Sequence, residues 1–113
     1  MAIKLNKAAY DHATSIIKNG LEVEHDTNNW AEVQATSDEK VRYLNNHGLE
    51  QYGTWFLGID TDADPKSKDK YTYPFGDFSV LHKSALLAAV KSAEKNNDAE
   101  IKKTAEQLLA MIK

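Results

Sequence analysis

A chain of 113 residues without a single cysteine has no disulfides and no thiolate metal ligands, and at this length it buries enough surface to fold as one domain, residues 1–113, around one core. Its net charge of −3 is unevenly spread: residues 19–64 hold ten acids against only Lys40 and Arg42, whereas residues 65–113 hold nine lysines against six acids. The longest apolar run, Ala85 to Val90, is too short to span a bilayer, and MAIKLNKAAY lacks the apolar stretch of a secretory signal, so a cytoplasmic protein with no membrane segment is expected.

In chain order, the pattern predicts a first helix over Lys7–Lys18, with Asn6 as N-cap and Gly20 ending it, and with Tyr10, Ala13, Ile16 and Ile17 on one face. Leu21–Glu24 alternates like a short strand, and His25–Gln34 reads as a loop anchored by Trp30. Thr36 and Glu39 stand at capping-box spacing before a helix that runs to Asn46, with Gly48 beyond it. The stretch Tyr52–Ile59 carries both helical spacing and strand-like composition, so helix is expected to give way to strand near Trp55. A second strand over Tyr71–Phe75 pairs with the first. Asp77 is then placed as the cap of the longest helix, Phe78–Lys95, and Asn97 with Glu100 as the capping box of a last helix striped by Ile101, Ala105, Leu108, Leu109 and Ile112. The expectation is an α+β domain, mostly helical with four to five helices and a small antiparallel hairpin near residues 55–75.

The segment Tyr52–His82 concentrates the unusual chemistry, with seven of the ten aromatic residues and both prolines. Asp60, Asp62 and Asp64 match the first three ligand positions of an EF-hand loop. Pro65 stands where that loop needs glycine, however, and Tyr71 where it needs a bidentate Glu, while Lys66, Lys68 and Lys70 add positive charge. The aspartates are therefore expected to shape turns, Asp64 capping the one entered by Pro65. The four histidines, at 12, 25, 47 and 82, offer no i, i+4 pair, so no metal site is expected. His82, near Asp77 and Ser84, has the ingredients of nucleophilic catalysis, but Ser84 lacks the strained turn and oxyanion loop that make a serine reactive. No catalytic residue and no cofactor are assigned.

Two readings of this segment remain. In the first, Trp55, Tyr71, Tyr73, Phe75, Asp77, His82 and Lys83 form or border a protein-contact surface. In the second, Lys66, Lys68, Lys70, Lys83, Lys91 and Lys95 with Tyr71, Tyr73 and Phe75 bind single-stranded nucleic acid through phosphate contacts and base stacking. A pI of about 5.8 lies well below the basic range of such binders, which disfavours the second reading.

The segments Leu-Gly-Ile-Asp at 57–60, Tyr-Pro-Phe-Gly-Asp-Phe at 73–78 and His-Lys-Ser-Ala-Leu at 82–86 resemble a family of small uncharacterised bacterial proteins, similar segments of which occur as an accessory domain in prophage head-region proteins. The likeness runs from AAYDHA through AEQLLAMI and is strongest between Tyr52 and Ala93. It implies no known activity. The chain departs from that pattern at Lys83 and Ser92, where arginines are expected, and neither residue replaces a bidentate arginine grip on phosphate or carboxylate. The resemblance thus points to a non-enzymatic interaction or accessory domain with a protein partner, prophage-associated, and away from phosphate binding. No motif encodes the partner's identity or an oligomeric state.

Overall fold

Apolar stripes at helical spacing and short β-branched or aromatic runs resolve into an α+β architecture in the computed structural model, which describes residues 3–20, 23–26 and 30–112. The elements are β1 (Ile3–Leu5), α1 (Lys7–Asn19), β2 (Val23–Glu24), α2 (Trp30–Val33), α3 (Ser37–His47), α4 (Leu49–Gly53), β3 (Phe56–Asp60), a 3-10 turn (Lys68–Lys70), β4 (Tyr71–Pro74), β5 (Leu81–His82), α5 (Lys83–Asn96) and α6 (Ala99–Met111). The Cα radius of gyration is 13.0 Å, against about 13 Å for a single globule of this length.

The expected hairpin is present: β3 and β4 pair antiparallel, with Gly58 opposite Thr72 and Ile59 opposite Tyr71. The sheet also takes in β1, which the sequence pattern did not reveal, in the order β1-β3-β4. Three residues are too few for a periodicity, and β1 is fixed by its partner, Leu5 facing Gly58 across the ladder. The α5–α6 hairpin covers one side of this sheet, α5 against β4 and α6 against β1 and β3, and α1 packs against β3 and α6. The core between them holds Ala9, Ala13, Ile16, Leu57, Phe75, Leu86, Ala93, Ile101 and Leu108.

Several local expectations hold in detail. Thr36 Oγ1 accepts the Glu39 amide at 3.1 Å while Glu39 Oε1 accepts the Thr36 amide at 2.9 Å, closing the capping box of α3. Gly20, at φ 72°, ends α1 by donating its amide to the Ile16 carbonyl. This is the left-handed conformation that an L side chain resists. Helix gives way to strand around Trp55, between α4 and β3. Asp60 Oδ1 accepts the Asp62 amide and Asp64 Oδ1 the Lys66 amide, so these carboxylates shape turns. Of the predicted strand at 21–24, Leu21 and Glu22 lie outside the described residues, and Val23–Glu24 is β2.

Other boundaries move, several because a polar side chain finds a different partner. Asn6 precedes α1 but makes no capping bond; its amide instead donates to the carbonyls of Gly53 and Phe56. Trp30 sits on one turn of helix rather than in a loop. Asp77 does not cap the longest helix, because its Oδ1 accepts the amides of Ser79 and Val80 at 3.0 Å each and closes a tight turn. Phe78, at φ 71°, stands in a conformation that no helix continues through. The helix therefore begins at Lys83. Asn97 is not the cap of α6 either: it ends α5 in the left-handed region, and Asp98 precedes α6. Glu100 turns its carboxylate to the Leu5 amide, at 3.3 Å.

Candidate functional site

A two-residue parallel pairing, Val23 with Leu81 and Glu24 with His82, draws a distant segment against the start of α5. The ring of His82 then lies between two carboxylates, with Nδ1 2.8 Å from Asp26 Oδ2 and Nε2 3.0 Å from Asp77 Oδ2. The His82 side chain is 6% exposed, Asp26 9% and Asp77 28%. A ring that faces an acceptor at each nitrogen satisfies both only as imidazolium, donating twice. Burial opposes that charge, but the bonds to Asp77 and Asp26 and their negative charges outweigh it and hold the His82 pKa above the ordinary histidine value. Burial likewise opposes ionisation of both carboxylates. For Asp26 the Ser84 amide and His82 overcome it, and for Asp77 the amides of Val80 and Ser79 with His82 do so, leaving both below the usual carboxylate range.

Each carboxylate is thus anchored on its second oxygen by backbone, Asp26 Oδ1 taking the Ser84 amide at 3.0 Å. Both ring nitrogens are committed, which leaves His82 no free lone pair to act as a base.

Beside the cluster runs a groove of about 300 Å³ between β4 and α5, bounded by Trp30, Tyr73, Pro74, Ala88, Asn96 and Asp98 among others. Trp30 connects the two features, its ring 5.5 Å from that of His82 and its edge on the groove. At the other end the Tyr73 hydroxyl donates to Asp98 Oδ2 and accepts from Asn96 Nδ2. Burial and the Asp98 bond push the phenol pKa up, so the hydroxyl keeps its proton. Tyr73 has φ 60°, a strained conformation for an aromatic residue, held by the turn between α5 and α6. Along the groove α5 presents Ala88, Ser92 and Asn96, with Ala85 and Ala89 buried beneath them on the same helical face.

The structure divides the surface expected from the sequence. Trp55 at 5%, Phe75 at 0% and His82 at 5% exposure are interior and cannot meet a partner directly. Trp55 and Phe75 pack on each other at 5.6 Å, as aromatic burial favours, and Trp55 donates its indole N–H to the Tyr43 hydroxyl. Tyr71, half-buried, packs against Tyr52 and Phe56. Of the expected set, Tyr73 alone lines the groove. Asp77 and Lys83 are partly exposed. The same burial removes Phe75 as a base-stacking residue, and Lys70 lies over the Tyr71 ring at 5.0 Å.

Sequence reasoning did not find Asp26, which is 56 residues from His82 and carries no local signal. Asn96 and Asp98 likewise carry no site signal in the sequence. Among the described residues no group of three or more His, Asp or Glu is arranged to hold a metal ion, and no helix is long and apolar enough to cross a membrane. No family model, curated protein or solved structure matches this chain.

Proposed function

We propose that the chain is a non-enzymatic interaction domain of the cytoplasm that takes an extended segment of a protein partner into the groove between β4 and α5. The observation that carries this reading is the groove itself: a floor of small residues walled by Trp30 and closed at its polar end by Tyr73, Asn96 and Asp98. From Ala85 to Asn96 the helix face is about 16 Å long at 1.5 Å per residue, the span of about five residues of extended chain. The groove therefore fits a short extended segment with small or apolar side chains. The Asp98 carboxylate at its end favours a basic or N–H-donating group on the partner.

The test is selection from a random-peptide display library, followed by titration of synthetic peptides against the wild type and Ser92→Trp. Ser92 is exposed yet lines the groove, so the indole fills the site without entering the core. Peptides with a basic end should bind the wild type at micromolar Kd and lose at least about tenfold in Ser92→Trp. Indifference to Ser92→Trp, or binding of a single-stranded oligonucleotide at about 150 mM salt that is lost on changing Lys66, Lys68 and Lys70 to Gln, would overturn the reading.

A further inference from the structure

We propose that the Asp26–His82–Asp77 cluster is a proton-operated latch on the groove: protonated His82 holds Trp30 as a groove wall, and loss of that proton releases the wall and weakens binding. The inference rests on the groove reading for its consequence, but its structural part stands on the cluster alone.

The cluster leaves the ring no neutral arrangement that satisfies both neighbours. A neutral imidazole has one N–H, so its other nitrogen must present a lone pair to a carboxylate 2.8 or 3.0 Å away, which is repulsive. The side chain of Asp26 is 9% exposed and that of Asp77 28%, and stranding the more buried charge costs more. The remaining proton therefore stays on Nδ1 facing Asp26, and Nε2 turns from Asp77, which water can reach. The ring also loses its charge. At a ring separation of 5.5 Å, the protonated imidazolium attracts the indole of Trp30 as a cation attracts a π face. Deprotonation removes that attraction as it removes the Asp77 bond, and Trp30 is left on a helix of one turn, Trp30–Val33, too short to hold itself.

The charged groups around the ring are consistent with a single controlling titration. Asp26 approaches from beyond β2 and Asp77 from the turn before β5. Glu24 stands opposite His82 in the strand pairing but is exposed. On α3 the exposed Glu39 is held below the usual carboxylate range by its bonds to Thr36, with the charge of Arg42, also exposed, lowering it further and that of Asp77 raising it. Lys83, next in the chain, is partly exposed.

The experiment is an NMR pH titration of the whole chain, following the ring nitrogens of each histidine, the indole N–H of Trp30 and Trp55, and the methyls of Ala85, Ala88 and Ala89. At about pH 5.5, below the ordinary histidine value, both His82 nitrogens should be protonated. As pH rises, a transition with a midpoint above the ordinary histidine value should move His82, Trp30 and the alanine methyls together, while Trp55, held in the core, stays. Asp77→Asn should lower that midpoint, and His25→Gln, at an exposed residue, should leave it in place. A His82 midpoint at or below the ordinary histidine value, or Trp30 and alanine signals that stay flat through its transition or follow His25, would sink the latch. Peptide affinity should fall about fivefold across the midpoint. Equal affinity on both sides removes the latch and leaves the groove reading intact. If no peptide binds at any pH, the groove reading fails, and the shared midpoint alone decides whether the latch exists.

Discussion

The two ends of the α5 interface are stabilised by opposite means. Where α5 meets α6, the contact is a seam of Ala89 and Ala93 against Ile101, Ala105 and Leu108, all at most 4% exposed. Where α5 begins, the contact is the ionic cluster of His82, Asp26 and Asp77. The seam joins consecutive helices, depends on apolar area, and tolerates any shape-compatible apolar replacement. The cluster joins three separate segments, and its members cost more apart than they contribute together, because His82 and Asp26 are buried charges. The apolar seam thus accounts for stability, and the ionic cluster fixes which segments lie against the start of α5.

His82→Gln is the strongest way to break this comparison. It leaves the largely buried Asp26 carboxylate and the partly exposed Asp77 without their cation and should cost on the order of 4 kcal/mol, read as a drop in the midpoint of urea unfolding. Such a loss consumes much of the stability of an ordinary domain. A loss as small as that of an exposed substitution would mean the cluster is not formed.

Leu108→Ala, at 0% exposure, should cost about 3 kcal/mol through lost burial and an unfilled cavity. Its value lies in the pH dependence. His82 has a raised folded-state pKa, so its stabilisation is complete below the unfolded value near 6.5 and is lost as pH rises through the folded one. Asp26 and Asp77 are depressed, so theirs is complete above the unfolded value near 3.9 and is lost as pH falls through their folded values. Stability should therefore be greatest between these limits. Leu108→Ala should lower that whole profile without changing its shape, whereas His82→Gln should abolish the alkaline decline. A changed profile in Leu108→Ala would show that the seam and the cluster are not independent.

The smallest effect belongs to neither region. Thr36→Ala removes the side-chain acceptor of the α3 capping box and should cost about 1 kcal/mol. Because α3 has no buried residue, the loss should appear as faster amide exchange confined to its first turn. A changed alkaline decline would connect α3 to the cluster, because the Thr36 bonds lower only the pKa of Glu39, on the acid side.

Local chemistry made much of the fold legible in the sequence. Thr36 with Glu39, Gly20 after α1, the turn carboxylates Asp60 and Asp64, and the apolar stripe of α6 each act over a few residues, so reading their neighbours sufficed. The α+β class and the β3–β4 hairpin followed from the same periodicities. Several of the errors share a cause: a polar side chain whose spacing suited one local bond found a better partner far along the chain or in a competing turn. Asp77 had the spacing of a helix cap but closes the turn around Phe78 and faces His82, and Glu100 left its own helix for Leu5. The aromatic segment was recognised as unusual, yet composition cannot distinguish a face from a core, and Trp55 and Phe75 lie inside. The pairing of His82 with Asp26, and the groove beside it, required β2 to meet β5 across more than fifty residues. Only the tertiary structure decided them, because no periodicity or turn preference specifies which distant carboxylate a buried cation will face.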